Sequence, residues 1–309
     1  MSRIFDALQR SAVEQAGVEY SDMVSIATEI FECPRDSVSA QPRAADQERS
    51  SDRRFEDVSS DDLHELESTN TLSDFPALRI SLTAASRLVC ATDPSGLAAE
   101  KFRFLSVRLR HLRQTRSLKR VLVTSTIPEE GKSLIAANLA GVLAQRKQKV
   151  LLVEGDLRRP VLAQRYGLGK LPGLGEWLQS SQHNISNLYR LIGPDYWFMP
   201  AGEPPENPLE LMQSGRLSDL MTQLSPLFDW IIVDSPPLLP LADTTVWGRV
   251  TDGALLVVRE GKTEKGPLLR GLEMLKKSDL LGVVLNACSD STHHNYYQRY
   301  AAARTQVKA

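Results

Sequence analysis

A chain of 309 residues with a formal net charge of −1 has room for one large α/β domain plus extra segments, and its near-neutral charge argues against nucleic acid or an anionic surface as a partner. Its three cysteines, Cys33, Cys90 and Cys288, are scattered without metal-site spacing and point to a reducing compartment. No apolar run is long enough to span a bilayer and the N-terminus has no secretory apolar stretch, so the expectation is a cytoplasmic protein that reaches a membrane only through a partner.

Residues 1–32 carry a short amphipathic helical pattern, with Ile4, Phe5 and Leu8 on one face and a second apolar cluster at Ile26, Ile30 and Phe31. A helix this short is marginal alone. It reads either as a frayed terminus or as a docking helix for a partner. Residues 33–76 are rich in Ser, Asp, Glu and Arg and sustain no period of 2 or 3.6, which predicts a disordered linker. The folded domain is expected over 77–290. Its first clear helix runs over 98–110, with Phe102, Leu105 and Leu109 on one face.

The stretch VLVTSTIPEEGKS, Val121 to Ser133, is the centre of the chain. Three apolar residues predict a buried strand, a turn follows, and Gly131-Lys132-Ser133 opens a helix over 134–144. That layout suits a phosphate-binding loop. Amides at a helix start point at an anion, the helix dipole favours it, Lys132 can reach the β and γ oxygens, and the Ser133 hydroxyl is placed for Mg²⁺. The pattern G-x-x-x-x-G-K-[ST] is met except that Thr126 takes the place of the first glycine. The candidate nucleotide contacts are Thr126, Glu129, Glu130, Gly131, Lys132, Ser133 and Leu134.

A second apolar strand over 150–153 ends in Glu154-Gly155-Asp156-Leu157-Arg158. Carboxylates at the carboxyl end of a strand beside a phosphate loop are where metal ligands and catalytic acids sit in doubly wound sheets. A Gly-rich connection follows over 167–175, then a short helix near 176–178. Next come a strand pair at 188–192 and 197–199, a turn-rich loop, and a helix near 209–212. Trp230-Ile231-Ile232-Val233 leads into Asp234, a strand-end carboxylate that can hold Mg²⁺ directly or through water. Strands at 253–258 and 282–285 flank a helix over 268–276. Alternating helices and near-continuous apolar strands predict an α/β fold with a mostly parallel sheet covered on both faces. The tail, 291–309, holds Tyr296, Tyr297 and Tyr300, three of the seven tyrosines, among polar neighbours. The adjacent His293 and His294 lack metal-site spacing.

Together TSTIPEEGKS, LLVEGDLRRP, WIIVDSPP and the C-terminal tyrosine cluster resemble the bacterial tyrosine kinases (BY-kinases) of capsule and exopolysaccharide synthesis, over roughly 88–300. The opening MSRIFDALQRS resembles the N-terminus of autokinases linked to exopolysaccharide export. The resemblance implies a P-loop NTPase-type domain that uses ATP and Mg²⁺. Lys132, Asp156 and Arg158 would be catalytic, with Asp156 accepting or orienting the proton of the attacking tyrosine. Ser133, Glu154, Asp156 and Asp234 would be metal ligands, Asn286 an adenine contact, and Tyr296, Tyr297 and Tyr300 the phosphoacceptors. It also implies a homo-oligomer, peripheral at the inner membrane through an activator of the chain-length-determinant (polysaccharide co-polymerase) type. Three positions depart from the family pattern. Glu154 replaces an Asp, Glu129 stands where Gly is usual, and Ser106 replaces the second arginine of the assembly motif that Glu100 and Arg103 begin. Two alternatives stay open, an adaptor that binds nucleotide without transfer and a partitioning-type ATPase. The latter carries a second lysine five residues before the loop lysine, where this chain has Ile127.

Overall fold

The computed structural model describes residues 72–80, 82, 86–181, 184–239, 241–275 and 280–288. The expected N-terminal helix, nearly all of the expected linker, and Tyr296, Tyr297 and Tyr300 lie outside the described residues. Among the described residues, eight strands form one sheet. They are β1 (Ala77–Arg79), β2 (Arg120–Ser125), β3 (Val150–Glu154), β4 (Tyr189–Ile192), β5 (Tyr196–Met199), β6 (Trp230–Asp234), β7 (Gly253–Arg259) and β8 (Leu280–Asn286), in the order β1-β4-β5-β3-β6-β2-β7-β8. Every neighbouring pair is parallel except β4 and β5. Those two are joined by a tight turn in which Gly193 and Asp195 take positive φ, a link too short for a parallel crossover.

Nine helices are described: α1 (Val89–Thr92), α2 (Leu97–Thr115), α3 (Lys132–Ala144), α4 (Leu162–Arg165), α5 (Leu174–Gln179), α6 (Pro208–Gln213), α7 (Arg216–Leu224), α8 (Asp243–Val250) and α9 (Lys265–Leu275). The α2 helix extends past the expected 110 through residues that all tolerate helix, with Arg113 in its last turn. The α9 helix starts three residues before the expected 268, because Pro267 falls in the first turn, where a missing amide costs little. The α7 and α8 helices were not foreseen, although α7 buries Leu217, Leu220, Met221 and Leu224 at helical spacing. No described helix is long and apolar enough to cross a membrane.

Strands β2, β3 and β6 are apolar at nearly every position because both sheet faces are covered. Val121, Val123, Val150, Leu152 and Ile232 join the core that includes α2 and α3. The alternate residues Leu122, Leu151, Val153, Ile231 and Val233 are equally buried on the other face. The α3 helix is apolar almost all round, as befits a helix enclosed on every side. Its Ala136, Ala137, Ala140 and Gly141 keep it slim enough to sit between the sheet and α2. Burial at about 1.5–3 kcal/mol for each large apolar side chain fixes this helix, and with it the position of Lys132, its first residue.

Candidate functional site

The carboxyl ends of β3, β6 and β2 lie side by side, since β6 pairs with both of the others. This is the position at which open parallel sheets hold ligands. From β2 the chain passes through 126–131 into α3. Gly131, the N-cap, has φ 99°, a left-handed conformation that glycine adopts without strain. A side chain there would also collide with Asn286, whose Nδ2 would lie 2.2 Å from the added carbon.

Lys132 reaches across from the helix start. Its Nζ is 3.0 Å from Asp156 Oδ2, 3.5 Å from Asp234 Oδ1 and 3.4 Å from Ser133 Oγ. Burial alone would lower the lysine pKa. The carboxylates of Asp234 and Asp156 outweigh it and hold the ammonium above its ordinary value. Asp234 is fully buried, and burial raises its pKa against the opposing pull of Lys132 and a hydrogen bond from Ser133. Its Oδ2 has no hydrogen-bond partner. An orphaned carboxylate oxygen at this depth is costly unless a ligand completes it. The Thr126 hydroxyl, in the first position of the loop, is likewise buried without a partner.

Lys132, Ser133, Asp156 and Asp234 are therefore brought together. Glu154, Arg158 and Asn286 are engaged by contacts of their own. Glu154 accepts the backbone N–H groups of Val161 and Leu162 on Oε1 and that of Ala201 on Oε2, so both oxygens anchor the connections that follow β3 and β5. Burial still raises its pKa, against those three donors. Arg158 is clamped to Asp243 at the start of α8, Nε to Oδ2 at 2.8 Å and Nη2 to Oδ1 at 3.2 Å. Asn286 donates from Nδ2 to the Glu130 carbonyl and accepts from the Ala287 amide, which engages its amide with the loop. Leu134 lies in the first turn of α3 and makes no polar contact through its side chain.

Between Glu154 and Asp156, Gly155 donates to the Asp234 carbonyl at 2.8 Å and accepts from the Trp247 indole N–H at 3.2 Å. A side chain at 155 would meet the indole ring at 2.7 Å. The acid turn is thus tied to β6 on one side and to α8 on the other. Sequence reasoning missed Asp243, Trp247 and Thr263, because each acts on a residue far away in the chain. Only the acid leading α8 had a local signal, and α8 itself was not read.

Chemically, two buried carboxylates, Asp156 and Asp234, face one buried ammonium. The surplus negative charge and the orphaned oxygen fit a hard divalent cation. No group of three or more acid, His or Cys side chains forms a metal cage among the described residues. Mg²⁺ takes one or two protein oxygens and fills its shell with water and phosphate. Two surface concavities lie away from Lys132. One, of about 580 Å³, opens beside Glu154 between Pro160, Leu168, Leu171 and Pro204. The other, of about 530 Å³, is at the start of β2 among Arg113, Lys119, Arg120 and Asp252. At Lys132 the electrostatics mark the site, its ammonium being ion-paired to both Asp156 and Asp234.

No family model matches the chain. It is 35% identical over 211 residues to the tyrosine-protein kinase YwqD of Bacillus subtilis, a match spanning 68% of this chain and 89% of that one. To the putative tyrosine-protein kinase EpsB of Ralstonia solanacearum it is 32% identical over 220 residues, spanning 70% of this chain but only 29% of the relative. Among solved structures, the kinase domain of the Escherichia coli tyrosine kinase ETK superposes with a TM-score of 0.62 at 26% identity, over 66% of this chain and 82% of that domain.

Proposed function

This chain belongs to the bacterial tyrosine-protein kinases, and on that premise we propose that it moves the γ-phosphoryl group of ATP to tyrosines of its own C-terminal segment, Tyr296, Tyr297 and Tyr300, and thereby regulates exopolysaccharide or capsule polymerisation and export. The observation that carries the reading is the convergence of Lys132, Asp156 and Asp234 at the ends of adjacent strands. Phosphoryl transfer requires positioning and charge stabilisation more than covalent chemistry from the protein, and this cluster is built for both.

Lys132 leaves its carboxylate partners to neutralise the β and γ oxygens, and the amides at the start of α3 cradle the same phosphates. Ser133 and Asp234 would hold Mg²⁺, which supplies charge neutralisation on the phosphate oxygens. Asp156, released by Lys132, orients the acceptor hydroxyl and takes its proton as the new P–O bond forms and the bond from the γ-phosphorus to the β–γ bridging oxygen breaks, the electron pair leaving with ADP. Its other oxygen accepts the Arg159 amide at 3.1 Å and so stays fixed in direction. Arg158, held by Asp243, places positive charge two residues beyond Asp156. Three tyrosines within five residues favour acceptors presented as a set, each phosphate adding roughly two negative charges. Mutual repulsion of those charges would then loosen a homo-oligomer whose subunits modify one another. A membrane activator of the chain-length-determinant type would bring the protein to the inner membrane.

The test is incubation of the purified chain with radiolabelled ATP, alone and with such an activator. Label on tyrosine is expected, is lost when Tyr296, Tyr297 and Tyr300 are all changed to Phe, and falls roughly 10²–10³-fold or more in K132M. Nucleotide binding with no label under either condition would favour a non-catalytic adaptor and sink the autokinase reading.

A further inference from the structure

A carboxylate inside a loop that must receive a triphosphate is an electrostatic liability unless its charge is turned away and held. Glu130, adjacent to Gly131, is such a group, and it is fully buried. One oxygen accepts the Ile127 amide at 2.9 Å; the other accepts the hydroxyl of Thr263. Thr263, itself 3% exposed, belongs to the turn between β7 and α9, 133 residues later in the chain. The same hydroxyl accepts the Arg259 amide at 3.0 Å, and the Thr263 amide donates to the Arg259 carbonyl. The threonine therefore closes its own turn and extends that closure to the phosphate loop. Two other contacts run the same way: Arg259 Nη1 to the Glu129 carbonyl at 3.2 Å and Lys262 Nζ to Glu129 Oε2 at 2.7 Å.

We infer that Thr263 is a positioning residue for nucleotide binding. Its hydroxyl fixes the Glu130 carboxylate on protein donors, which sets the curvature of 127–131 and keeps that negative charge off the phosphates. The role rests on the nucleotide-binding half of the reading above. A threonine that served only its own turn would need the Arg259 amide and nothing further. The bond to Glu130 adds nothing to that turn and instead controls the loop.

The experiment uses the full chain and calorimetric titration with MgADP, which fills the loop without turnover. T263V keeps the shape and removes the hydroxyl, and is expected to weaken MgADP binding about tenfold, the loss typical when a charged acceptor forfeits one buried donor. T263S restores the affinity. A double-mutant cycle with E130Q should be non-additive, because the two side chains act as one unit. The Ile127 amide should exchange faster in T263V at a temperature where both proteins are folded. If T263V does not fold, T263A and the exchange rate in T263S carry the same comparison. Wild-type affinity in T263V, or losses that add with E130Q, would overturn the role of Thr263 and leave the kinase reading intact. A wild-type chain that fails to bind MgADP would overturn both.

Discussion

The two sides of the phosphate loop are built on different plans. On the side of β3 and β6, acidic side chains emerge directly from buried strands and meet the first residue of α3, so the groups that face the ligand and the elements that aim them are neighbours in sequence. On the side of β7 and β8, the residues that touch the loop bond to its backbone or to its acids: Arg259 and Asn286 to carbonyls, Thr263 and Lys262 to carboxylates. On the proposed reading, the first side carries reactivity and the second carries shape. A site of this kind separates the charges that act from the bonds that set where they act.

The sharpest way to break that comparison lies among the charges. R158A removes the partner of Asp243, which is 1% exposed, and leaves a carboxylate buried without compensation. We expect a loss of roughly 3–5 kcal/mol in denaturant unfolding. D243A leaves Arg158 instead, whose side chain is 37% exposed and can turn to water, so its loss should be smaller, about 1–2 kcal/mol. Equal losses would mean that Asp243 is not held by this pair. The next effect is in alkali. Lys132 has a folded-state pKa above the ordinary 10.5. Its ion-pair stabilisation is therefore complete below that value and drains away as pH rises through the higher folded value. K132M should flatten the alkaline arm of the stability profile, and an unchanged arm would contradict the charge assignment. The smallest effect belongs to the shape side. Glu129 has φ 65°, a left-handed conformation in which glycine is unstrained, so E129G should leave the melting temperature at or slightly above that of the original chain. A marked drop would show that the exposed pair with Lys262 matters more than the backbone strain.

The difference between the two sides also explains what could be read in advance. Lys132, Ser133, Asp156 and Asp234 announce themselves because an apolar run ends and a polar group follows at once. The parallel sheet, the β4–β5 pair and the placement of α3 come from the same alternation of periods. Glu154 looked like Asp156 in the sequence, both acids at one strand end. The structure separates them, since a residue on each side of Gly155 points a different way and Glu154 meets three amides from elsewhere in the chain. The amide of Asn286 and the hydroxyl of Thr263 had no local pattern at all. Their partners lie 156 and 133 residues away, and no period of 2 or 3.6 encodes a bond of that span. The α8 helix was missed because Thr244 and Thr245 favour other conformations and only Trp247 anchors it within the core.

That tryptophan has a spectroscopic consequence. Its indole is wholly buried, with the N–H on the Gly155 carbonyl and the ring against the α-carbon of the residue next to Asp156. Any shift of the acid turn when a nucleotide arrives changes the polarity around one chromophore, so the protein contains an intrinsic fluorescent gauge of its own occupancy. With Trp177, Trp197 and Trp230 replaced by Phe, its emission would follow loading in real time without a dye.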